Sequence, residues 1–257
     1  MLDRFLNNRA FRRSAQQPKH SAPEGLRLYA VGDVHGCADL LDAIVKAIRD
    51  DHAAQRDDAA LKLIFLGDYV DRGPDSRGVV ERLCALAAEP IETVFLKGNH
   101  EAAMLDFLAA PDDHDAWLDW GGVETIESYG VDAGAARAAQ AIADDLAAAL
   151  PDSHRNFLQT LALHHEEADY YFAHAGVRPG VPLADQTERD LLWIREAFHR
   201  AEPNERPEKT VVHGHHPVKK PLDAGWRIAV DTGAVWSGRL SAVRLHKTER
   251  TFLSVEE

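Results

Sequence analysis

An α/β fold follows from three features of this 257-residue chain. Short apolar runs rich in β-branched and aromatic residues alternate with stretches of helical periodicity. Most of the runs lack the polar/apolar alternation of a half-exposed strand, which marks strands buried on both faces. Five of them give way to a loop that carries glycine beside a polar side chain, the place where open α/β sheets bind ligands. The length suits one generous domain or two small ones, and 45% hydrophobic residues supply ample material for a core.

In chain order the strand-like runs are Leu28 to Val31, Leu61 to Leu66, Thr93 to Leu96, Tyr170 to Ala173, Thr210 to Val212, Ile228 to Val230 and Leu240 to Leu245. After the first, Ala38 to Asp50 spaces Leu40, Leu41, Ile44, Val45 and Ile48 along one helical face. After the second, a Gly73-Pro74 turn and a helix start at Asp75-Ser76 lead into Val79, Val80, Leu83, Leu86 and Ala87 at the same spacing. Residues 101–165 hold little strand signal and much alanine, so they read as a helical insertion whose clearest helix is Ala133 to Leu150. Glu202 to Glu208, with Pro203 and Pro207, reads as an exposed loop. Neither a repeat nor a Gly/Ser linker divides the chain, so residues 25–257 are expected to form one domain.

A basic tail over residues 1–24 is expected before it. Up to His20, Arg4, Arg9, Arg12, Arg13 and Lys19 oppose only Asp3, and Asn7-Asn8-Arg9 interrupts the apolar core that a secretory signal needs. A loosely packed arm is the plainer reading, and an amphipathic helix for a membrane surface or a partner the sharper one. The net charge of -13 argues against a nucleic-acid partner. No apolar run approaches the roughly 18 residues of a membrane span. Cys37 and Cys84 show no pairing pattern, which suits a reducing cytoplasm, the expected location.

The chemistry lies in the glycine-flanked runs. They read Gly32-Asp33-Val34-His35-Gly36, Gly67-Asp68-Tyr69-Val70-Asp71-Arg72-Gly73, Gly98-Asn99-His100-Glu101, His174-Ala175-Gly176 and His213-Gly214-His215-His216-Pro217. Asp, His and Asn together are ligands for a hard-to-borderline dication pair such as Mn²⁺, Fe or Zn, and the absence of Cys argues against a structural zinc knuckle. The set indicates a hydrolytic metalloenzyme. Other catalytic signatures are missing: no Gly-x-x-x-x-Gly-Lys loop, no Gly-x-Ser-x-Gly elbow and no His-Glu-x-x-His helix. His213, His215 and His216 all remain candidate ligands on this reading. Asp231 is assigned to capping its turn. Scattered tryptophans at positions 117, 120, 193, 226 and 236 fit core positions, so no base-stacking role is given to them.

The runs at 32–36, 67–73 and 98–101 closely resemble the signature of the phosphoprotein phosphatase (PPP) family of binuclear metallophosphatases, within the calcineurin-like superfamily. The later His-Ala-Gly and Gly-His-His-Pro runs match its remaining ligand loops, so the resemblance spans about residues 26 to 245. It implies an αββα sandwich, two mixed sheets flanked by helices, and two divalent ions, Mn first with Fe or Zn as alternatives. By the resemblance, Asp33 and His35 hold the first metal, Asp68 bridges both, and Asn99, His174 and His215 hold the second. The family pattern selects His215 because the ligand stands directly before a variable residue and Pro217. His100 corresponds to the general acid and Asp71 to the carboxylate that orients it. Arg72, Arg195 in Leu-Leu-Trp-Ile-Arg, and Asn99 correspond to phosphate-binding residues. The nucleophile implied is a hydroxide bridging the two ions.

The expected activity is hydrolysis of phosphate monoesters, on proteins at Ser or Thr and also at Tyr, with phosphorylated small molecules as further partners. Symmetrical cleavage of diadenosine tetraphosphate is the alternative, and Trp120-Gly121-Gly122 with Thr125 and Ser128-Tyr129-Gly130 suits both. A silent phosphoprotein-binding protein is disfavoured because every ligand and acid-base position is filled. The sequence leaves oligomeric state open.

Overall fold

A computed structural model describes residues 20–134 and 136–257. Most of the basic tail, including Arg9, Arg12 and Arg13, lies outside the described residues. Ten strands follow in the order β1 Leu26–Val31, β2 Ala60–Phe65, β3 Glu92–Phe95, β4 His164–Glu167, β5 Tyr170–Ala173, β6 Thr210–His213, β7 Leu222–Asp223, β8 Arg227–Ala229, β9 Arg239–His246 and β10 Glu249–Glu256. They form two five-stranded mixed sheets, ordered β10-β9-β1-β2-β3 and β4-β5-β6-β8-β7.

One core lies between the sheets. Leu28, Ala30, Ile64 and Leu66 from the first meet Phe172, Val212 and Ile228 from the second, all fully buried. A fully buried side chain of this size contributes about 1.5–3 kcal/mol relative to exposure. The opposite pleat of the first sheet, with Tyr29, Val31, Leu63 and Phe65, buries against helices α1 Ala38–Ala54 and α2 Ser76–Ala87. The helical segment after β3 completes that layer: α3 Asn99–Ala109, a 3₁₀ turn Asp115–Trp120, α4 Gly122–Ser128, α5 Ala139–Ala149 and α6 Asp152–Gln159. On the second sheet's outer face, Tyr171, Ala173 and Val211 pack with Leu191 of α7 Glu188–Trp193 and Phe198 of α8 Glu196–His199. A last short helix, α9 Ala234–Ser237, precedes β9. This is the αββα sandwich expected, with a helical segment where residues 101–165 predict one.

Register explains why the motifs meet. Val31 lies opposite Phe65, and Phe65 opposite Phe95, so β1, β2 and β3 end level at their carboxyl edge. In the second sheet Phe172 pairs with Val212 and His213 with Ala229. Contacts between His174 and Asp68 and between the His215 amide and Asp33 then show that the loops of both sheets share one rim of the sandwich.

Four strands and one helix differ from the sequence reading. Strands β4 and β7 are short and β10 alternates partly buried with exposed residues, so none makes an apolar run. β3 is only partly buried, unlike the fully covered strand expected. Helix α5 begins at Ala139 rather than near Ala133. Before it, the Asp132 side chain accepts from the Gly134 amide at 2.9 Å and Arg137 N–H bonds to the Gly134 carbonyl, a local turn that competes with helix. Asp75 does cap α2, accepting from Gly78 N–H at 2.8 Å. Among the described residues no helix is long and apolar enough to cross a membrane.

Candidate active site

Backbone strain marks the rim first. Seven non-glycine residues among those described have positive φ, and five of them are His35, Asp68, Asp71, Arg72 and His215. Such conformations cost free energy and persist where surrounding contacts over-determine them, as at functional sites. Glu101 is the main such contact for the second motif. Its buried carboxylate accepts from the amides of Gly98 (2.8 Å), Asp68 (2.9 Å), Tyr69 (2.7 Å) and Val70 (3.2 Å). Burial and the neighbouring Asp68 raise its pKa to about 7 even so. Gly98 is required by space as well, since a Cβ there would stand 2.1 Å from Asp68 Oδ1.

Asp68 sits at the centre. Its Oδ2 is 3.3 Å from His174 Nε2, 3.5 Å from His35 Nε2 and 4.0 Å from His100 Nε2. Two groups, His35 with Asp68 and His100, and Asp68 with His174 and His215, each place ligand-type atoms within 4.8 Å of one another. Asn99 Oδ1 adds to the second group, 2.9 Å from His174 Nε2. Asp33 joins from the first loop, its Oδ2 accepting from the His215 amide at 2.9 Å. Asp33 Oδ1 is buried with no hydrogen-bond partner among the described residues. An orphaned carboxylate oxygen at this depth is costly unless a cation meets it.

The imidazoles are arranged for the same purpose. His35 Nδ1 donates to the Val70 carbonyl (2.8 Å) and His174 Nδ1 to the Leu66 carbonyl (2.9 Å), which leaves both Nε2 lone pairs facing Asp68. Burial lowers His35 to about 3, and burial with the neighbouring His174 lowers His215 to about 2, so both are neutral, the form in which an imidazole can bind a metal. His174 is raised instead, because Asp68 outweighs the effect of burial. The carboxylate that favours a proton on that nitrogen favours a cation there equally. Asp68 itself is held well below the usual carboxylate range, with His174 and His100 overcoming its burial. Asp33 is pushed the other way by burial and by the carboxylates of Asp231 and Asp68. So crowded a set of buried acids and imidazoles fits divalent metal.

His100 belongs to a different arrangement although it lies near Asp68. Its Nδ1 donates to Asp71 Oδ2 at 2.6 Å. Trp117 Nε1 also donates to that oxygen (2.8 Å), and Thr125 Oγ1 donates to Oδ1 (2.7 Å), so the carboxylate is clamped from three sides. Burial works against a charge on His100, but Asp68 and Asp71 prevail and raise its pKa. Nε2 can therefore hold a proton on the site side. Arg72 Nη1 donates to His35 Nε2 (2.6 Å) and Arg195 Nε to His215 Nε2 (3.0 Å), which places both guanidinium groups against these two imidazoles.

All the residues singled out from sequence thus converge: Asp33, His35, Asp68, Asn99, His174, His215, His100, Asp71, Arg72 and Arg195. His213 does not, since its Nδ1 bonds the Gly214 carbonyl and its Nε2 lies 3.4 Å from Arg227. Asp231 accepts from Gly233 N–H at 2.8 Å, a turn cap, while its carboxylate also bears on Asp33. Sequence reading gave Glu101 no role, placed Trp117 in the core, and named Thr125 only within a stretch that suits both activities. Glu101 ends the Gly98-Asn99-His100-Glu101 run, but its amide partners are visible only in three dimensions. One expectation is corrected: Trp117 is buried, but Trp120, Trp193 and Trp236 are among the exposed large hydrophobic residues. They lie at a helix end or in a short helical turn bordering the site, where sequence spacing gives no sign of which side faces water.

Comparison with known proteins gives the family. Residues 26–244 match the family model of the calcineurin-like phosphoesterases. The chain is 31% identical over 221 residues to "Serine/threonine-protein phosphatase 1" of Salmonella typhimurium, covering 85% of this chain and 91% of that one. It is 25% identical over 249 residues to "Bis(5'-nucleosyl)-tetraphosphatase PrpE [asymmetrical]" of Geobacillus thermodenitrificans, covering 88% and 92%. The crystal structure of a candidate diadenosine tetraphosphatase shares the fold, with a TM-score of 0.60 and 22% identity over 91% of this chain and 95% of that chain. The chain belongs to the calcineurin-like phosphoesterase family and is a metal-dependent phosphoester hydrolase.

Proposed function

We propose that the chain hydrolyses phosphate monoesters on protein side chains, at serine, threonine or tyrosine, by attack of water without a covalent enzyme intermediate. The observation that carries this reading is the clamped Asp71–His100 pair beside two arginines and the Asp68-centred ligand set. Asp33, His35 and Asp68 would hold one cation, and Asp68, Asn99, His174 and His215 the other, with Mn²⁺ the first choice. Bound there, the pair neutralises phosphoryl oxygens and makes water acidic enough to attack near neutral pH.

The protein groups do the rest. Arg72 and Arg195 turn their forks from the imidazoles to the phosphoryl oxygens and gain strength as charge builds there, with Asn99 at the same rim. His100 delivers the Nε2 proton to the leaving oxygen. Asp71, fixed by Trp117 and Thr125, keeps the proton-donating nitrogen aimed at the site. Higher identity to a relative named as a protein phosphatase supports a protein substrate.

A second reading, dinucleoside polyphosphate hydrolysis, is favoured by likeness to PrpE, whose name specifies asymmetrical rather than symmetrical cleavage. A Mn²⁺-supplemented panel of phosphoserine, phosphothreonine and phosphotyrosine peptides beside diadenosine tetraphosphate separates the two. The protein-phosphatase reading predicts that kcat/KM for the best peptide exceeds that for the dinucleotide. Turnover of the dinucleotide alone would replace it with the second.

A further inference from the structure

Three tryptophans are exposed in one place. Trp120, Trp193 and Trp236 are 41%, 37% and 63% exposed, and all line a cleft of about 620 Å³ with Arg72, His100 and Arg195. Large aromatic rings left in water, clustered in a cleft, mark a binding surface. They stand on two sides of the metal-ligand imidazoles. On one side the Arg72 guanidinium lies 5.0 Å over the Trp236 ring, which is 6.3 Å from His35. On the other, Trp193 is 6.5 Å from His215 and meets Trp120 edge to face at 5.6 Å. A group attached to a phosphate held by Arg72 and Arg195 must leave between these walls.

Charge in the same cleft limits what that group is. Asp119 and Glu124 share the lining with the two arginines. A chain of further phosphates would meet those carboxylates, whereas a neutral ring would not. A ring bonded directly to the ester oxygen also stays beside the rings nearest the imidazoles, where a nucleotide would place its sugar. Granted the phosphomonoesterase reading above, we propose that the tryptophan walls recognise the aromatic ring of an aryl phosphate, phosphotyrosine rather than phosphoserine or phosphothreonine. Stacking of the ring supplies the discrimination.

The test uses binding, so that leaving-group reactivity plays no part. Titration calorimetry of the Mn²⁺-loaded protein compares phenylphosphonate with methylphosphonate, and adenosine 5′-monophosphate serves as the nucleotide arm. Phenylphosphonate should bind about tenfold more tightly than methylphosphonate, the scale of one stacked ring. Trp236→Ala and Trp120→Ala should each reduce that ratio, and Trp236→Phe should restore most of it. Using the ratio removes any effect of Trp236 on Arg72 that both ligands share. Equal binding of the two phosphonates, a ratio unmoved by every tryptophan change, or tighter binding of the nucleotide than of phenylphosphonate would each overturn the proposal. Failure to hydrolyse any monoester would instead count against the phosphatase reading and leave these binding outcomes intact.

Discussion

Asp68→Asn should lower Mn²⁺-dependent hydrolysis of an aryl phosphate by about 10³-fold or more, the scale of several kcal/mol of lost charge stabilisation. Asp68 is the one side chain shared by both ligand groups, within 3.5 Å of His174 and His35. An amide keeps the volume and one acceptor oxygen but carries no charge to hold two cations together. The backbone tolerates the change, because Asp68 has φ 52 and Asn is among the residues most at ease there. The Glu101 bonds that shape the turn go to backbone amides and do not need the carboxylate. Loss of rate with an unchanged circular dichroism spectrum is the expected result. Rates within tenfold of the parent protein would remove Asp68 from the bridging position.

His100→Asn should act selectively. With a phosphoserine peptide, whose leaving alkoxide needs a proton, kcat should fall by about 10²- to 10⁴-fold. With an activated aryl phosphate the leaving oxygen is a weaker base, so the loss should be much smaller. That split separates a proton donor from a metal ligand, because losing a ligand slows both substrates alike. It matters here because His100 Nε2 is only 4.0 Å from Asp68 and shares a geometric group with His35. The 2.6 Å bond from Nδ1 to a carboxylate held by Trp117 and Thr125 is the observation behind the proton-donor role proposed for it. Equal losses on the two substrates would return it to the ligand set.

Much of this site was legible in the sequence because its chemistry is local. Asp33, Asp68, Asn99, His174 and His215 each follow a strand by a few residues, and parallel strands ending level bring such loops together. What stayed hidden depends on contacts distant along the chain. Thr125 and Trp117 reach Asp71 from residues 54 and 46 positions away, and neither belongs to a repeating pattern. Glu101 reads like any acidic residue in a helix's first turn until the four amides around it are seen. Trp120, Trp193 and Trp236 depart from the expected core placement for a related reason. Composition suggests that large rings are buried, and only the fold reveals that three of them face one cleft. β10 was missed because it alternates and covers the sheet at its edge rather than crossing the core.

The central claim is a centre of two cations held by six residues that must be filled for phosphate monoesters to be hydrolysed. Metal-free protein titrated with Mn²⁺ tests it most directly, with bound metal counted by elemental analysis as aryl phosphate hydrolysis is followed in the same samples. Activity should be absent without metal, rise with occupancy and reach its plateau at two ions per chain. A plateau at one ion, or full activity in the metal-free protein, would contradict it.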